Sequence, residues 1–173
     1  ICPTSMVLAV VYQDVGVYHD EEFLNSSDLE MWLRIARKYP IGILEEYLIR
    51  YRHGHTSSSK KYHHLRTDQE RYFSIMDLYI KNGGLTIATQ EALVGYEAHR
   101  SEDKLMRAIN YYILDKPKES QTMLSQIQLI QLLCSPKVQR CRLLILFIIM
   151  LCLVRIPRVS FIANLLYRHW YKT

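Results

Sequence analysis

The apolar positions of this chain change rhythm along its length. Between Ser27 and Tyr39, Leu29, Trp32, Leu33 and Ala36 recur at i, i+3, i+4 and i+7, the stripe of an amphipathic helix. Ser27 and Glu30 stand at the S-x-x-E spacing of a capping box, in which the serine oxygen accepts from the N3 amide and the glutamate reaches back to the cap amide. Arg34 and Arg37 fall away from the stripe, Arg37 and Lys38 suit the negative helix end, and Pro40 blocks continuation. Shorter runs follow other patterns. Ile1 to Met6, Ile41 to Leu44 and Tyr47 to Tyr51 predict short strands, and Val10 to Val15 predicts one or two helical turns stopped by Gly16. Tyr18 to Asn25 and the Ser- and His-rich stretch from His53 to Lys61 predict loops.

From Tyr62 the pattern is helical almost throughout. Tyr62 to Lys81 closes at Asn82-Gly83-Gly84, Ile87 to Leu114 predicts one helix or a broken pair, and Pro117 opens the next. The expected organisation has three parts. Residues 1–60 are mixed α/β, residues 61–135 form a helical extension, and residues 136–173 form a basic apolar tail, so the chain is mostly α overall.

Charge singles out the tail. The chain has a formal net charge of +5, yet Ser120 to Thr173 contains no Asp or Glu while carrying Lys137, Arg140, Arg142, Arg155, Arg158, Arg168 and Lys172. Leu143 to Val154 is an uninterrupted apolar run between arginines, too short to span a bilayer, which takes about 20 residues. Two readings follow: helices lying in the interface of an anionic membrane with Trp170 and Tyr171 as anchors, or helices packing against protein. The first is favoured. Nucleic acid is not an expected partner, because the basic residues flank an apolar run instead of interleaving with aromatics. Cys2, Cys134, Cys141 and Cys152 match neither a zinc nor a C-x-x-C redox spacing, which predicts free thiols in a reducing compartment.

The candidate chemistry lies near the predicted helix start. Asp20-Glu21-Glu22-Phe23 followed by Ser27-Asp28-Leu29-Glu30-Met31-Trp32-Leu33-Arg34 resembles the acceptor-side motif of family 2 glycosyltransferases, an F-D-E-x-F run leading into E-D-x-D-L-W-L-R. The likeness continues through Tyr39-Pro40-Ile41-Gly42 to Leu48-Ile49-Arg50-Tyr51-Arg52 and the loop after it, and covers about residues 1 to 60. It implies an incomplete GT-A domain with a Rossmann-like sheet, present as its acceptor-side half. It also implies that Asp28 is the general base for the acceptor hydroxyl, although Ser27 stands where the family has Glu. Arg34, His53 and His55 are the implied contacts to acceptor or donor phosphate, with His53 or His55 a possible ligand of Mg²⁺ or Mn²⁺. No D-x-D is assigned to the donor site, and the first residue is Ile1, so a fragment is expected that binds nucleotide sugar poorly and is inactive alone. The parent would use a nucleotide-sugar donor and a glycan or lipid-linked acceptor at the cytoplasmic face of a membrane. The alternative is a non-enzymatic helical protein-interaction module.

Overall fold

The structure is a computed structural model that describes residues 5–50, 64–134, 137–157 and 159–171. Helix accounts for 69% of it, and no strand occurs among the described residues, so the sheet expected in residues 1–60 is not formed. Residues 41 to 50 show why. Ile41, Ile43, Leu44, Tyr47 and Leu48 are exposed, and their backbone makes no ladder with another segment. A strand is stable only when its amides and carbonyls meet a neighbour, and alternating apolar residues do not supply one. Residues 1–4 and 51–63 lie outside the described residues.

The chain divides into two compact units, Ile1–His55 with Arg71–Gly84, and Thr56–Glu70 with Leu85–Thr173. The first contains α1 (Ala9–Val15), α2 (Asp20–Phe23), α3 (Ser27–Ala36) and α4 (Arg71–Lys81). Val11 and Val15 of α1 meet Met31 and Ile35 of α3, with Tyr12, Tyr18, Trp32 and Tyr39 around them. The buried residues of α3 are therefore Ser27, Glu30, Met31 and Ile35, not the expected stripe, and Ala36 is exposed. The capping box is also absent. Ser26 is the N-cap, without a side-chain bond, and the Glu30 carboxylate is engaged elsewhere. The helix expected from Tyr62 begins only at Arg71.

The second unit contains α5 (Gln90–Ile113), α6 (Pro117–Ser125), α7 (Leu129–Leu133), α8 (Lys137–Leu153) and α9 (Ser160–Tyr171). α5 is a single helix, capped by the Thr89 hydroxyl, which accepts from the Ala92 amide at 3.2 Å. It ends in a Schellman turn. Asp115 sits at φ +61°, its amide bonds Tyr112 O, and the Lys116 amide bonds Tyr111 O at 2.9 Å. Pro117 then opens α6 at a position where its missing N–H costs nothing. Leu105, Ala108, Ile109 and Tyr112 form the centre of the core with Leu124, Leu132, Leu143, Met150, Leu153 and Ala163. Both tail helices thus contribute one face to the core. Tyr171 turns inward and donates to Asn110 Oδ1 at 2.7 Å, so it is not the expected interface anchor. No helix among the described residues is long and apolar enough to cross a membrane.

A buried charge cluster ties segment 64–70 to α5. Asp103, only 2% exposed at its side chain, accepts from Arg66 at 2.5 Å and lies 2.9 Å from the Arg107 Nε. Asn110 Nδ2 donates to Arg66 O at 2.7 Å. Removing the anion would leave two arginines facing each other in a poorly solvated place. Asp103→Ala is expected to lower the stability of the chain by about 3 to 5 kcal/mol in urea unfolding, with Asp103→Asn in between. A loss below about 1 kcal/mol would show that solvent, not Asp103, balances the arginines.

Candidate functional site

The first unit encloses an open recess of about 480 Å³ between α2, α3 and α4. Glu30 forms its floor. It projects from α3 with a side chain 5% exposed, on the helix face opposite the aromatic Tyr18–Trp32 contact. Tyr79 of α4 donates its hydroxyl to Glu30 Oε1 at 2.8 Å, and Arg34 Nη2 donates to Oε2 at 2.9 Å. His19 Nδ1 lies 3.6 Å from the same oxygen.

Arg34 does more than neutralise that carboxylate. Its Nη1 donates to Val15 O at 2.6 Å and its Nη2 to Val17 O at 2.9 Å, around the turn that Gly16 makes at φ +86°. The last carbonyl of α1 and the following loop are therefore fastened to α3 by one guanidinium. An ammonium at the end of a lysine could not fork in this way. Arg37 covers the Tyr79 ring at 5.6 Å and donates to Asn82 O at 2.9 Å, closing the end of α4. Lys38 on the rim is held by Asp14 at 3.1 Å, and bonds from Tyr39 and then Lys38 keep that carboxyl below its usual range. Burial, followed by the hydrogen bond to Glu30, pushes the Tyr79 hydroxyl up to about 12. In the recess Tyr79 keeps its proton and Glu30 has both oxygens engaged, while the buried Arg34 Nε has no hydrogen-bond partner.

The predicted site residues are not brought together. Asp28 sits in the first turn of α3, partly exposed, with Oδ1 accepting from the Leu29 amide at 2.8 Å. Asp28 and Glu30 are two positions apart, about 200° around the helix, so Asp28 faces away from the recess floor. Among the described residues no ion pair engages it. Arg34, expected as an exposed or phosphate-contacting side chain, is instead built into the fold. His53 and His55 lie outside the described residues. Among the described residues no group of three His, Cys, Asp or Glu side chains could hold a metal ion. The residue that sequence reasoning missed is Tyr79, which meets Glu30 from 49 positions away and follows no local pattern. No protein-family model, curated protein or solved structure matches this chain.

The raised Tyr79 hydroxyl has a consequence at alkaline pH. An unfolded tyrosine loses its proton near pH 10, whereas folded Tyr79 holds it to about 12, so its contribution to stability is full below 10 and is lost between 10 and 12. Tyr79→Phe is expected to be less stable than the parent chain by about 1.5 to 3 kcal/mol at neutral pH, the scale of one hydrogen bond to a charged group. That gap should narrow as pH rises from 10 to 12. Denaturant midpoints of the two proteins across this range measure it, and a gap independent of pH would contradict the Tyr79–Glu30 bond.

Proposed function

We propose that this chain is the acceptor-side part of a nucleotide-sugar-dependent glycosyltransferase, with Asp28 as its general base. The observation that carries the reading is the ordered run from Asp20 through Ser27-Asp28 to Arg34, with Asp28 in the first turn of a helix. An attacking hydroxyl must lose its proton as its oxygen bonds the anomeric carbon and the nucleoside diphosphate leaves. A partly exposed carboxylate in the first turn of a helix suits that task, because solvent-side access is open to an acceptor and one local amide fixes its orientation. Behind it, the Glu30–Arg34–Tyr79 network holds α3 in place without occupying Asp28. Arg34 then acts as a positioning residue. Donor binding, with its Mg²⁺ or Mn²⁺, is assigned to parts of the intact enzyme other than the described residues. The acid-free basic tail supports peripheral attachment to the cytoplasmic face of a membrane, where lipid-linked acceptors are held.

The helical architecture favours a second reading, a non-enzymatic interaction module. A groove of about 310 Å³ runs between α5 and α7, its apolar strip of Leu93, Val94, Ile130 and Cys134 rimmed by Gln90, Glu97, Gln128 and Gln131. Such a groove fits the apolar face of a partner helix.

In an intact parent enzyme, Asp28→Asn is expected to lower turnover by about 100-fold or more, the scale of lost general-base catalysis, with donor affinity unchanged. Near-normal turnover would remove Asp28 from the reaction, and a parent with no transferase turnover at all would favour the interaction module. The chain alone should show no micromolar binding of common nucleotide sugars with Mn²⁺ in calorimetry, and such binding would place a donor site within it.

A further inference from the structure

α8 is apolar on all sides, yet only one side is covered. Leu143, Met150 and Leu153 are buried in the core of the second unit, with Leu146 and Phe147 packed beside them. On the other side Cys141, Ile145, Ile148, Ile149 and Cys152 are exposed, Ile145 by 57% and Ile148 by 59%. These positions, at i, i+4, i+7, i+8 and i+11, fall within about 100° of one another and form a single stripe about 17 Å long. In α9, Ala163, Ile162 and Leu166 face the core, while Phe161 and Leu165 are exposed. A helix that is hydrophobic all round belongs in a core or in lipid, and α8 has core on one side alone.

Charge decides what covers the open side. Arg142 and Arg155 are exposed near its two ends, and Ser120 to Thr173 holds no acid. A second copy of the chain would bring the same basic excess to a self-complementary interface, where like charges oppose each other. A bilayer with anionic headgroups offers the opposite charge and an apolar layer directly beneath it.

We propose that α8 lies flat in the interface of an anionic bilayer through its Cys141-to-Cys152 stripe. At about 25 Å, α8 is shorter than the roughly 30 Å hydrocarbon layer, so it lies along the surface and does not cross. Its inner side stays in the core, and binding therefore needs no unfolding. The inference rests on the membrane attachment proposed above and assigns it to one face and one orientation.

Flotation of the full chain with phosphatidylcholine vesicles, with and without phosphatidylserine, tests it. Removing residues 137–173 would strip the core of Leu143, Met150 and Leu153, so outward substitutions are used instead. The chain should float only with phosphatidylserine. Ile145→Gln with Ile148→Gln should weaken partitioning about tenfold or more while leaving the thermal melt unchanged. Arg155→Gln should weaken it about fivefold, and added salt should remove that part of the binding. A nitrobenzoxadiazole label on Cys152, with the other cysteines replaced by serine, should shift to the blue when anionic vesicles are added. If the chain floats and the double variant floats equally well, attachment stands and this face is the wrong one. If the chain does not float at all, attachment itself fails. If it ignores lipid and dimerises through a contact that the double variant abolishes, the face is a protein interface.

Discussion

A buried carboxylate is the constraint on which each unit depends. Taking such a group out of water costs several kcal/mol unless its oxygens are met, and an unmet one would neutralise instead. Glu30 meets it with hydrogen bonds to both oxygens, and Asp103 with one hydrogen bond from Arg66 and an ion pair to Arg107. Each sits on a helix and pairs with an arginine one turn later, Arg34 or Arg107. Each also accepts from a side chain far away in sequence, Tyr79 in one case and Arg66 in the other. The i, i+4 arginine is supplied locally by the helix, and the distant donor makes the carboxylate a long-range tie. The non-local geometry is thus enforced by the penalty for leaving the acid incompletely satisfied.

That logic explains what the sequence discloses and what it withholds. Signals that act within a turn were legible: Gly16 after α1, Pro117 at the start of α6, Asn82-Gly83 after α4, and the position of α3 to within a few residues. The face of α3 was not. The periodicity of Leu29, Trp32, Leu33 and Ala36 is a sound helix pattern, but Glu30 and Arg34 rotate the helix so that Met31 and Ile35 enter the core. A polar residue four positions before an arginine looks like a surface pair, and only the distant partner reveals that it is buried. The capping-box reading of Glu30 failed for the same reason, since the carboxylate was required elsewhere.

The expected strands failed for a different reason. Ile41 to Leu44 and Tyr47 to Leu48 have the composition of strands, yet strand formation is a property of two segments. A helix satisfies its backbone internally, so a helical motif can persist in isolation from a sheet. The segment from Asp20 to Arg34 keeps its helix and keeps Asp28 at the start of it, while residues 41 to 50 remain irregular and exposed. Of the elements expected over residues 1–60, the helix at Ser27 forms and the sheet does not among the described residues. Of the site residues, Asp28 remains a candidate for chemistry on position and exposure, while Arg34 has been absorbed by the fold.

The tail pattern admits two readings, and core packing accounts for one side of α8. An amphipathic helix offers one apolar face, and the question is what covers that face. α8 offers two, because every residue from Leu143 to Leu153 is apolar. Packing against α5, α6 and α7 uses the side with Leu143, Met150 and Leu153, and it cannot use the side with Ile145 and Ile148 at the same time. Under the proposed attachment, lipid contact and core packing are demands on opposite sides of one helix. The inner face fixes its position in the unit, and that fixed position holds the outer stripe and its flanking arginines on a single surface.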